Sequence, residues 1–163
     1  MALTPGSKIL ISDLNLMPRS FASTAARDTF YTANPSLRVA GARAIIGSGA
    51  TMQEYLYDGA AWLMISGDLS SYISWTAGFS AYLGLGYSGM SLTVRGGRVA
   101  LSGAFSAASW AALASVLTIS NAAYRPAVQT PGVNAQIGSD GIVRPSTGGT
   151  GSAALAITWP LTL

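Results

Sequence analysis

Met90–Phe105 reads MSLTVRGGRVALSGAF and leaves little freedom in how it folds. Two runs of alternating apolar and polar residues flank Gly96-Gly97, a pair that adopts the positive φ angles of a two-residue hairpin turn. That turn sets Arg95 opposite Arg98, Val94 opposite Val99 and Leu92 opposite Leu101. One face then holds Met90, Leu92, Val94, Val99, Leu101 and Phe105, and the other holds Ser91, Thr93, Arg95, Arg98, Ala100 and Ser102. A slip of one residue would turn every apolar group outward, so the register is strongly specified. The sequence predicts an antiparallel β-structure with one buried face in the C-terminal half.

The same reasoning extends along the chain. Thr4-Pro5-Gly6-Ser7 is a turn, and Ser12 or Asp13 caps a brief helical turn that stops before Pro18. Ser23 or Thr24 caps a second short helix over Ala25-Ala26-Arg27-Asp28. Residues 36–66 read as a β-meander with strands over Arg38–Ile46, Met52–Tyr57 and Ala60–Ile65. Asp58-Gly59 is the turn that pairs Tyr57 with Ala60 and Tyr55 with Trp62. Ser66-Gly67-Asp68 punctuates the pattern and marks a boundary. Short twisted strands and turns follow from Ile73 to Tyr87. Ser106–Ser120 is the stretch where helix and strand compete; its serines and the β-branched Val116, Thr118 and Ile119 favour a loop entering a short strand. Tyr124-Arg125-Pro126 is an extended turn. Val133–Ile137 and Ile142-Val143-Arg144 form another hairpin, and Gly148-Gly149-Thr150-Gly151 is a flexible loop. Ala153–Leu163 alternates with Leu155, Ile157, Trp159, Leu161 and Leu163 on one face. Pro160 donates no ladder hydrogen bond, so this strand lies at an edge or donates only before the proline.

Composition narrows the chemistry. Half of the 163 residues are hydrophobic and only 9% are charged, against about a quarter in an ordinary domain. A lone subunit with so few charges leaves apolar surface to be covered by a partner, so the chain is expected to be an obligate oligomer. Cysteine and histidine are both absent, which removes disulfides, thiol nucleophiles, histidine bases and the usual zinc ligands. No metal or cofactor is expected. The net charge of +3 comes from nine scattered basic residues, not a nucleic-acid patch. The uncharged windows Leu69–Val94 and Val99–Tyr124 are long enough to span a bilayer but rich in Ser and Gly, so no membrane insertion is expected. The N-terminus lacks a secretory apolar core. Of the carboxylates, Asp58 and Asp140 sit in turns, Asp13 and Asp28 lie near the start, and only Glu54 is in a strand. That is poor material for the paired carboxylates of glycoside cleavage. Arg95 and Arg98 could grip an anion, although a solvated pair is the simpler reading.

Three groups of residues resemble phage tail receptor-binding proteins, the minor tail or tail-fibre proteins with trimeric β-structured heads. Asp13-Leu14-Asn15-Leu16-Met17-Pro18 is similar to an arm near the start of tail-associated proteins from phages of actinobacteria. Ser23–Asp28, Arg38-Val39 and Tyr55-Leu56-Tyr57-Asp58-Gly59-Ala60-Ala61-Trp62 resemble a small fibre module. Leu92–Phe105, Ala123-Tyr124-Arg125-Pro126 and Ile137–Gly141 resemble the fibre head, with Ala123 where a glycine is usual. The resemblance implies an all-β chain: an attachment arm over 1–30, a β-meander module over 31–68, and an antiparallel, jelly-roll-like β-sandwich head over 69–163. It implies a homotrimer in the virion, joined to other tail proteins through Asp13, Leu14, Asn15 and Pro18. It implies non-enzymatic binding of a host surface glycan, for which Tyr82, Tyr87 and Trp110 are the candidate stacking residues. A purely structural fibre, collar or tail-tip protein, and a depolymerase with a site between subunits, are the competing readings.

Overall fold

A computed structural model describes residues 17–162. The fold is all-β, with one α-helix among the described residues, and the chain divides into two compact units between Ile65 and Ser66.

In the first unit, strand β1 (Arg19–Phe21) leads into helix α1 (Thr24–Ala33), and strand β2 (Arg43–Ile46) returns parallel to β1. Ser23 starts the helix: its backbone is extended, and its Oγ accepts the Ala26 N–H at 3.1 Å, satisfying a donor that the first turn leaves over. Asn34 ends it by donating both its backbone N–H and its Nδ2 to the Phe30 carbonyl, and Pro35 bars further helix. Strand β3 (Gln53–Tyr57) runs antiparallel to β2 and adjoins strand β4 (Trp62–Asp68), giving the order β1-β2-β3-β4.

Three expectations need correction here. The arm expected over residues 1–30 gives way to folded structure by Arg19, because β1 is hydrogen-bonded to β2 and α1 runs through residue 30. The strand expected over Arg38–Ile46 begins only at Arg43, after a 3₁₀ turn at Pro35–Leu37. The β3–β4 turn is displaced by one residue. Asp58 Oδ1 accepts the N–H groups of Ala60 and Ala61, both at 2.7 Å, and Asp58 N–H donates to Ala61 O. Gly59 and Ala60 therefore fill the turn, and Trp62 packs on Tyr57, with ring centroids 5.3 Å apart. The aspartate side chain supplies its own turn and overrides the Asp-Gly signal.

The second unit holds two antiparallel sheets. In one, strand β7 (Met90–Arg95) pairs with strand β8 (Arg98–Trp110) and β8 with strand β13 (Gly149–Pro160). Gly67 and Asp68, at the end of β4, pair with β7, and the short strand β6 (Ser80–Ala81) pairs with β8. The other sheet has the order β10 (Thr130–Pro131), β11 (Ala135–Ile137), β12 (Ile142–Pro145), β9 (Leu117–Ile119) and β5 (Ile73–Trp75).

The glycine hairpin takes the expected register: Arg95 faces Arg98, Val94 faces Val99, and Leu92 faces Leu101. Those two valines and two leucines have no exposed surface, each side chain contributing roughly 1.5–3 kcal/mol of burial. The second sheet buries Leu117, Ile119, Ile137 and Val143 just as completely. Trp159 of β13 is also fully enclosed, and its Nε1–H donates to Tyr124 O at 2.9 Å.

Four local expectations change in this unit. The boundary expected at Ser66-Gly67-Asp68 coincides with the division between the two units, but the strand does not break there: these residues continue β4, with Gly67 taking a φ of +149°. Ser106–Trp110 is not a loop: it extends β8, because β13 and β6 offer partners along this stretch. A turn with Leu113 at φ +62° then leads to β9. Gly149–Gly151 belongs to β13, where a register shift absorbs the extra residue. Val133 leaves its expected hairpin and bridges Ala156 of β13. Pro160 faces Arg98 at the far end of the β8–β13 ladder, and Leu161 N–H continues to Gly97 O at 2.8 Å.

Candidate functional site

Strand alternation puts Ser102, Ser106 and Ala108 of β8 on the face opposite the buried Leu101. Their partners across the ladder add Ala156 and Ser152, which face Ser102 and Ser106. A sheet face of small, uncharged side chains results, and two hollows lie along it. One, of about 470 Å³, is lined by Tyr82 with Gly78, Ser80, Ser106, Gly151 and Ser152 among others. Ser80 and Ser106 hydroxyls meet across it at 3.1 Å. The other, of about 280 Å³, is lined by Tyr87 with Ser102, Gly103, Val133, Ala154 and Ala156 among others.

The three aromatic candidates therefore separate. Tyr82 and Tyr87 line different hollows, and Trp110 lines neither. Trp110 packs edge-on against Phe105, centroids 5.0 Å apart, and its Nε1–H donates to Thr147 O at 3.0 Å. Its ring also covers Gly149, where an added Cβ would lie 2.6 Å from Cζ2. The indole is spent on internal packing. Tyr87 is 42% exposed, in a loop that also presents Leu83 and Leu85 at 74% and 90%. Leu85 takes a φ of +51°, an uncommon backbone state for a leucine. These exposed leucines had no distinguishing signal in the sequence, because their spacing also fits a buried strand.

Of the expected attachment residues, Asp13, Leu14 and Asn15 lie outside the described residues, and Pro18 is exposed. Arg95 and Arg98 both face solvent at the hairpin tip, without an acidic partner among the described residues. A third hollow, of about 350 Å³, is lined by Arg125, Ser139 and Thr162 together with Ala122, Ala123, Pro126 and Ala127. The sequence marks Arg125 as part of a turn and of the fibre-head resemblance, with nothing to signal a hollow.

The described carboxylates are engaged locally. Asp28 receives Arg27, Glu54 pairs with Arg43, and Asp68 Oδ1 accepts Ser70 N–H. The Ala61 and Ala60 N–H groups hold the Asp58 carboxyl below the usual carboxylate range. The Arg144 guanidinium, with the Ile142 N–H, does the same for Asp140. In the first unit, Arg27 is only 6% exposed, and its guanidinium carbon lies 4.8 Å from the Tyr55 ring centroid and 4.9 Å from that of Trp62. Its Nε and Nη2 hold Asp28, while its Nη1 and the Tyr31 hydroxyl are buried without a hydrogen-bond partner among the described residues. Burial pushes the Tyr31 phenol up, against the opposing effect of Arg19 and Arg27.

Among the described residues, no cluster of acidic side chains is arranged to hold a metal ion, and no helix is long and apolar enough to cross a membrane. No family model matches this sequence, and no curated protein or solved structure matches it either.

Proposed function

We propose that this chain is a phage tail protein that binds a host cell-surface glycan during adsorption, as a homotrimer and without cleaving its receptor. The observation that carries the reading is the outer face of β8 and β13. It is built from serine, glycine and alanine and carries two open hollows, each edged by a tyrosine. Hydroxyls that can exchange hydrogen bonds beside an aromatic ring suit a sugar, whose faces alternate C–H and O–H groups. Tyr82 and Tyr87 are the stacking residues in this reading, and Trp110 supports the strand from within. The described carboxylates already hold arginines or backbone N–H groups. None is left free to serve as the acid of a glycoside-cleaving pair. Exposed Leu113 and Val128 supply apolar surface for contacts between subunits.

The test is adsorption. Labelled full-length protein should bind saturably to a susceptible strain in a panel of actinobacterial cells, and Y82A and Y87A should each weaken binding without lowering the melting temperature. Absence of binding to every susceptible strain, with normal adsorption by virions lacking the protein, would sink the adhesion role. Failure of such virions to assemble would instead favour a structural tail protein. Release of reducing ends from wall polysaccharide would make it a depolymerase.

A further inference from the structure

The hollow around Arg125 has the chemistry of an anion site. Arg125 is held from behind: its Nε–H donates to Ile119 O at 2.8 Å and its Nη2 to Ser120 O at 3.0 Å. Gly141 makes this placement possible, because a Cβ there would lie 2.7 Å from Arg125 Nε. The guanidinium is thus fixed by two carbonyls that carry no formal charge. No carboxylate lies within ion-pair distance of it among the described residues. The nearby acid in sequence, Asp140, is taken by Arg144 at 2.8 Å. Among the described residues the charge of Arg125 is therefore unneutralised where it lines a hollow of about 350 Å³, within the size range of small-ligand sites, about 300–1,000 Å³. The Ser139 hydroxyl and Thr162 add polar groups, and Ala122, Ala123 and Pro126 give an apolar wall. The whole unit favours an anion as well: between Ser66 and Leu163, four arginines stand against two aspartates.

We infer that this hollow binds an oxyanion substituent, a carboxylate or a phosphate, on the surface polysaccharide that the protein recognises. The inference rests on the adhesion reading and adds a charged subsite to it. A fixed arginine fork matches the paired oxygens of either group, and its orientation is settled before the ligand arrives. The apolar wall would lie against the C–H face of the sugar or the polyol that bears the charge.

The experiment measures binding of full-length protein to poly(glycerol phosphate), to polyglucuronate and to uncharged dextran, at low and high salt. At least one charged polymer is expected to bind while dextran does not, with affinity falling as salt rises; the stronger of the two identifies the oxyanion. R125K is expected to weaken binding about tenfold, roughly 1.4 kcal/mol. Because Arg125 also braces two carbonyls, A127E is the second variant. It puts a carboxylate on the exposed rim and should abolish binding to the charged polymer with an unchanged melting temperature. Binding of dextran as tight as that of the charged polymers, binding of neither charged polymer, or native affinity in A127E would overturn the inference. The two readings fail separately. Cell adsorption that no charged polymer competes away removes the subsite and leaves adhesion standing, whereas polymer binding without cell adsorption does the reverse.

Discussion

Arg27 shows how one side chain can organise a small unit. Its guanidinium is nearly dry and is compensated by two rings and one aspartate. Cation–π contact contributes about 2 kcal/mol when desolvated, and the arginine stem fills space as well. R27A is therefore expected to cost about 2–4 kcal/mol in urea denaturation, and R27M, which keeps the stem, distinctly less. Tyr31 behaves oppositely. Its hydroxyl is buried without a partner, so Y31F should be neutral or slightly stabilising by the same measurement. Asp140 has a lowered carboxyl pKa through Arg144 and the Ile142 N–H. A lowered folded-state pKa stabilises above the unfolded value and is lost as pH falls through the folded one. The native protein should lose melting temperature as pH drops below about 4, and D140N, which cannot ionise, should show a shallower acid limb.

At the scale of elements, Gly103 is the most demanding position in β8. It takes a φ of +138°, and a Cβ there would lie 2.1 Å from Gly89 O. G103A should cost more than about 3 kcal/mol, or prevent folding, because both the backbone state and the space are wrong. Circular dichroism and thermal melting would detect it. The hairpin around Gly96-Gly97 was legible in the sequence because turn chemistry and alternation point to one register. The end of β13 was legible for the same reason: Leu155, Ile157 and Trp159 alternate and are all buried. What escaped was set from outside each segment. Ser106–Trp110 has a composition that tolerates helix, and it is extended because β13 and β6 pair with it. The Asp58 turn moved by one residue through a side-chain hydrogen bond that the Asp-Gly pattern leaves unstated. The candidate site was half visible. Tyr82 and Tyr87 stood out as aromatics in irregular sequence, but nothing local revealed that Trp110 is occupied by Gly149 and Phe105, or that Arg125 opens on a hollow.

For the whole molecule, sparse charge and buried inner faces separate two kinds of association. In the trimer proposed above, contacts made through uncharged surface should resist screening. Sedimentation should then give the same trimer at about 0.1 M and 1 M salt, where the Debye length falls from about 10 to 3 Å. The anion binding inferred at Arg125 should weaken over the same range. A salt-sensitive trimer would require charged contacts, for which Arg95 and Arg98 at the hairpin tip are placed. On the adhesion reading, the crossing of Gly89 over Gly103 has a practical consequence for reprogramming the target. Bare backbone there meets bare backbone, anchoring one end of the Tyr82–Gly89 loop, while Leu83, Leu85 and Tyr87 project outward. A library randomised at those three sites between fixed posts could change the recognised target while the strands below keep their register, whereas diversity at either glycine would be wasted on misfolded clones.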